Sequence, residues 1–183
     1  MFLVAFLLLN ALLVPLLGGR LGALADVSLR WVAAVLAALA LEVIATEVPG
    51  LPDRAQAALI MAAYPVAGVF LVANWRVPGL LVALAGAALN FIAIAANGGV
   101  MPASPTAMAA AGLPVQGTGF ESSAVRPHPR LGFLGDVFAI PASWPLSNVF
   151  SVGDVLLALG VAWALHALCG SRLPLARSGR RSS

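Results

Sequence analysis

The chain has 183 residues, 61% of them hydrophobic and only 9% charged, and its mean hydropathy is +1.00; charged residues approach about a quarter of a soluble domain, so a soluble core could not hide this much apolar surface. Ten arginines, no lysine and seven acids leave a net charge of +3. Because the arginines stand mostly at the ends of apolar runs, they read as signals of membrane orientation and not as a phosphate-binding face, which argues against a nucleic-acid partner, and the single Cys169 excludes an internal disulfide or a multi-cysteine zinc site.

The first apolar run, Met1 to Leu17, is interrupted only by Asn10 and closed by Gly18, Gly19 and Arg20. It predicts a helix over about 1–19, slightly short of the roughly 20 residues that span a bilayer. Ala23-Leu24-Ala25 has the small-x-small form of a signal-peptide cleavage site, but no positive charge precedes the run, so the segment is read as a retained helix. A polar link with Arg20, Asp26 and Arg30 leads to a second helix over 31–48, whose alanines at 33, 34, 37 and 38 suit close helix packing in lipid. Pro49, Gly50, Pro52 and Asp53 form a turn before a third helix over 56–73, which Pro65 should kink. A fourth spans 80–96 and a fifth 153–170, with the loop 97–152 between them and a disordered, basic cytoplasmic tail over 171–183. The expected architecture is an all-α membrane protein: a single integral membrane domain over 1–170, about five transmembrane helices, and one long extracytoplasmic loop containing a short helix.

Five crossings put the termini on opposite sides. With the C-terminus inside, the inner face carries Arg20, Arg30, Arg76 and the tail arginines Arg172, Arg177, Arg180 and Arg181, against Arg54, Arg126 and Arg130 outside. The excess of positive charge on cytoplasmic loops therefore predicts a multi-pass cell-membrane protein with its N-terminus out and its C-terminus in.

Within the loop, Ser104-Pro105 followed by an alanine-rich stretch and Gly112 predicts a short helix over 105–111: serine as N-cap, proline at the first turn, glycine past the end. Asn97-Gly98-Gly99 suits the end of the fourth helix. Pro114 to Arg130 has no periodicity and reads as an exposed segment, and the aromatics Phe133, Phe138, Trp144 and Phe150 read as resting at the membrane interface.

Three motifs in this region, N-F-I-A-I-A-A-N-G-G-V-M-P-A-S at 90–104, L-G-D-V-F at 134–138 and N-V-F-S-V-G-D-V-L at 148–156, resemble the bacterial membrane proteins grouped as domain of unknown function 5317. The resemblance extends over essentially the whole chain. Its specific part is the segment with Gly98, Gly99, Met101, Pro102 and Ser104, together with the two glycine-aspartate motifs containing Gly135 and, with Ser151, Gly153. Ala103 stands where the family often has valine. The resemblance implies a multi-pass bacterial membrane protein and supplies no activity.

Chemistry must come from the polar residues. On the expected topology Glu42, Asn90 and Asp154 lie in the outer half of the helices, and Asn97 and Asp136 at the outer surface. Ionisable groups inside a membrane are expensive, so a carboxylate and amide cluster of Glu42, Asn90, Asn97, Asp136 and Asp154 is a candidate site for a cation or a polar head group. The competing reading is structural. Ser151 and Asp154 have the spacing of a capping box, Asp136 after Gly135 can cap a turn, and Asn90 can bond between helices. No cofactor is implied, and no catalytic residues are assigned: Ser122, His128 and Asp136 form a hydrolase set only on paper, without a nucleophile elbow. His166 and Cys169 are read as packing residues. The expected function is that of a non-catalytic membrane protein whose ordered outer loop is a structural or partner-binding unit; the alternatives are a small ion- or solute-binding or transport-related protein using the outer carboxylates and, further, a membrane-embedded enzyme acting on lipid or envelope substrates. The expected partners are the lipid bilayer and another membrane protein or a second copy of the chain.

Overall fold

A computed structural model describes residues 2–115 and 123–172. Residues 173–183, the greater part of the expected tail, and residues 116–122 of the expected exposed segment lie outside the described residues. Five long helices dominate: α1 (Phe2–Leu16), α2 (Val32–Glu47), α3 (Asp53–Ala73), α4 (Leu80–Ala96) and, after a short α5 (Pro105–Ala110), α6 (Val152–Leu168). Of these, α3 alone among the described residues is long and apolar enough by itself to cross a membrane; α1, α4 and α6 are shorter apolar helices. The segment expected to be loop plus one short helix also holds strands, so the chain is mostly helical and not all-α.

The long helices pack side by side in the order α2, α3, α4, α6, α1. A close seam joins α4 to α6, where a side chain at Gly86 would collide with the backbone at Gly153 and Leu157, and one at Gly160 with the backbone of α4 at Ala83. Gly79, Ala83 and Gly86 on one helix therefore face Gly153, Gly160 and Ala164 on the other, and the absence of side chains lets the two backbones touch. At one end of the molecule α1 and α6 finish together: Arg20 N donates to Cys169 O at 2.9 Å, and Arg172 N to Leu17 O at 2.9 Å. His166 reinforces this end, with Nδ1 2.9 Å from Ser171 Oγ and Nε2 3.3 Å from Asn10 Oδ1.

Two asparagines fasten chain segments to helix ends in the same way. Asn74, at the end of α3, accepts from Arg30 N at 2.9 Å and donates to Arg30 O and Phe70 O, both at 2.8 Å. Asn97, at the end of α4, accepts from Arg130 N at 3.0 Å and donates to Arg130 O and Ala93 O, both at 2.7 Å. Each amide reads the backbone of a distant arginine as a strand would, and satisfies a terminal carbonyl of its own helix.

The segment after α4 folds over the other end of the bundle. Strand β1 (Met101–Pro102) pairs in parallel with β2 (Ser123–Ala124), and β3 (Asp136–Ile140) pairs antiparallel with β4 (Asn148–Ser151). A bridge from Ala103 to Asp136 joins the two pairs. Helix α5 starts as the sequence predicts, with Ser104 as N-cap and Pro105 in the first turn. Ala103, Ala107, Met108, Ala111 and Val149 bury one another to form a small core of this cap. Gly99 has φ +95°, and a side chain there would strike Ala57 on α3, so the N-G-G turn is a place where only glycine lets the chain leave α4 and pass close over its neighbour.

Candidate functional site

Between the helices and the cap lies a cavity of about 500 Å³, within the usual range for small-molecule sites. Helix α3 lines it with Ile60, Ala63, Tyr64, Ala67 and Leu71, positions that extend roughly 16 Å along the helix axis at 1.5 Å per residue. Ala38, Glu42 and Thr46 come from one face of α2, since residues four apart lie above one another. Ala87, Asn90 and Ile94 come from α4, Asp154 and Leu157 from α6, and Leu3 from α1. The cap supplies the roof through Met101, Ser123, Asp136 and Asn148 to Phe150.

One corner is a closed hydrogen-bond network. Ser151 and Asp154 form the capping box of α6: Ser151 Oγ accepts from Asp154 N at 3.0 Å, and Asp154 Oδ2 accepts from Ser151 N at 2.9 Å. Asn90 Nδ2 donates to the remaining carboxylate oxygen, Asp154 Oδ1, at 2.7 Å. The Ser151 hydroxyl proton lies between two acceptors, Asn90 Oδ1 at 2.8 Å and Asp154 Oδ2 at 3.0 Å. Tyr64, on α3, lines the same cavity as Asn90 and Asp154. Gly153 makes room for the network, because a side chain there would occupy the position of the Asn90 amide oxygen.

Asp136 stands beside this network, opposite Ser151 in the β3–β4 register, and is only 4% exposed. Its Oδ2 accepts from Ser123 Oγ at 2.6 Å, and its main-chain oxygen accepts from Ser104 N at 2.9 Å. Burial pushes its carboxyl up to about 6; the Ser123 bond opposes the rise, and the negative charge of Asp154 adds to it. Gly135 brings Asp136 into place, since any side chain at that position would meet the backbone of Pro102, itself fully buried. The N-G-G-x-M-P, L-G-D and S-V-G-D segments, separated in sequence, thus meet at one point on the cavity roof.

Of the five residues expected to form a polar cluster, Glu42, Asn90, Asp136 and Asp154 line this one cavity. Asn97 does not: its amide is taken up by Arg130 and Ala93, so it fastens the cap to α4. Glu42 is exposed at the cavity mouth. Among the described residues no three His, Cys, Asp or Glu side chains come together as a metal site would require. The serine of the paper hydrolase set, Ser122, lies outside the described residues, and Asp136 is bonded to its neighbour Ser123. Sequence reasoning missed Tyr64, Ser123 and Asn148. Tyr64 is the one tyrosine of the chain, in an otherwise apolar run, and a lone hydroxyl there was a legible signal; Ser123 and Asn148 become site residues only through strand pairing.

A family model described as a family of unknown function, DUF5317, matches residues 26–166, and the chain belongs to that family. No curated protein and no solved structure matches it.

Proposed function

For this member of the DUF5317 family we propose the role of a multi-pass integral membrane protein that holds a small molecule in the capped cavity, in the manner of a solute-binding or transport-related protein and without a catalytic step. The supporting observation is the roof: three motif segments converge to close one end of a 500 Å³ space lined by three carboxylates, two amides and a phenol. A loop serving only as structure needs no such space beneath it.

The membrane part of the reading rests on surface and direction. Leu8, Leu12 and Leu36 are 62%, 69% and 63% exposed, and α1 and α2 present such residues along their whole length; exposed apolar surface on this scale marks a lipid or protein contact. The long helices alternate in direction, so both ends of the bundle are consistent with N-terminus out and C-terminus in. Helices α1, α2, α4 and α6 have 15 to 17 residues, or roughly 23–26 Å, against a hydrocarbon core of about 30 Å. Interfacial residues and local thinning of the bilayer absorb a deficit of this size. Trp31 and Trp75 are exposed at the arginine-rich end, with the Arg76 guanidinium 5.4 Å from the Trp75 ring, and Phe133 and Trp144 are exposed on the cap.

The test is native mass spectrometry of protein released from membranes in mild detergent. A bound small molecule is expected on the wild type and is expected to be lost from Ala67→Phe, which fills the cavity. Wild-type protein free of any such adduct after extraction in several detergents would remove the solute-binding role and leave the cap as architecture or as a docking unit for another membrane protein.

A further inference from the structure

The cavity is graded along its length. Its polar groups gather at the outer end: Ser123, Asp136 and Asn148 share the roof with Met101, Val149 and Phe150, and Thr46, Glu42, Tyr64, Asn90 and Asp154 are just beneath it, whereas the deeper lining is Ala38, Ala67, Leu71 and Ala87. The helices around it form an arc and not a ring: α2 and α1 are its two ends and share at most marginal contact, although residues from both line the cavity. Glu42, on α2, lines the cavity and is exposed. A space that is polar at the outer end, apolar toward the middle of the bundle and unsealed on one flank has the shape of a molecule with a head and a tail.

Building on the solute-binding reading above, we propose that the occupant is a single-chain amphiphile with a cationic, hydrogen-bond-donating head, and that it enters sideways from the outer leaflet between α1 and α2. Its head, an amine or ammonium, sits under the roof, where Glu42, Asp136 and Asp154 offer acceptors and negative charge. An anionic head would meet carboxylates with no basic side chain among the lining residues. The chain runs down α3 past Ala63 and Ala67 to Leu71, which explains why small residues line that face.

Three photoreactive probes test this on the full chain in nanodiscs of zwitterionic lipid: decylamine with a diazirine in its chain, decanoic acid with the same chain, and a short water-soluble diazirine amine. The amine-headed chain is expected to label α2 and α3 between residues 38 and 71, with labelling competed by excess decylamine. Labelling is expected to fall at least tenfold in Ala67→Phe and several-fold in Glu42→Gln, an exposed change that leaves the helix packing intact. Equal, competed labelling by the decanoic acid probe would overturn the head-group chemistry. Competed capture of the short amine alone would overturn the amphiphile while leaving solute binding in place. No competed labelling by any probe would overturn both.

Discussion

Asp136 and Asp154 line the same cavity, yet their surroundings give them opposite roles. The Asp136 carboxyl is buried with one side-chain donor, Ser123, and its pKa is raised from 3.8 to about 6. Folding therefore carries no penalty for this group below 3.8, where it is neutral in both states, and the penalty grows as pH rises until it is complete above 6. At 1.36 kcal/mol per pKa unit the wild type should lose about 3 kcal/mol across that window. Asp136→Asn keeps an acceptor for Ser123 and carries no charge, so its melting temperature in detergent should vary less with pH between 4 and 7 and should exceed that of wild type at pH 8. Asp154 behaves otherwise, because both of its oxygens receive donors from Ser151 and Asn90. Asp154→Asn turns one acceptor into a donor facing another donor. A loss of about 2 kcal/mol at neutral pH is expected, from the cap and the unmatched hydrogen bond together, measured by the same thermal unfolding. A wild-type melting curve independent of pH would contradict the assignment for Asp136, and an Asp154→Asn protein as stable as wild type would contradict that for Asp154.

Among the helices, the α4–α6 seam has the least tolerance. Gly86→Ala or Gly160→Ala puts a methyl group into the backbone of the facing helix, and either should cost on the order of 1–3 kcal/mol or force the helices apart. Gly68 provides the contrast: it lies inside α3 with open space where a side chain would go, so Gly68→Ala should be neutral or stabilising by up to about 1 kcal/mol. Unfolding by SDS titration would rank the three. These elements differ in how far the sequence disclosed them. The apolar runs with glycine and proline at their ends mark all five long helices to within three residues, and Ser104-Pro105 marks α5, because these signals are local. The capping box of α6 is local too, since Ser151 and Asp154 are three residues apart. The strands were missed although Val137, Phe138 and Ile140 and the run Asn148 to Ser151 carry β-branched and aromatic residues between glycine and proline; a four-residue apolar run does not separate strand from interfacial loop without its partner. Asn97 was misplaced for a similar reason: its position at a helix end was legible, but its bond to Arg130, 33 residues away, was not.

At the scale of the molecule, the membrane role proposed above requires the cap and the arginine-rich end to lie on opposite sides of a bilayer. With Cys169 replaced by serine, a membrane-impermeant thiol reagent should label Ser143→Cys on intact cells and Ala25→Cys only after permeabilisation; the reverse pattern would invert the orientation, and labelling of both would deny the crossing. The α4–α6 seam has a further consequence, for the order in which the chain is made. Helices α4 and α6 pack backbone to backbone, but everything from Asn97 to Ser151 is synthesised between them. While a nascent chain ends before α6, the glycine-lined face of α4 is uncovered, so the seam cannot form. Assembly is thus completed only once the last helix has been made. A chain cut short before Val152 leaves the groove along Gly79, Ala83 and Gly86 unfilled.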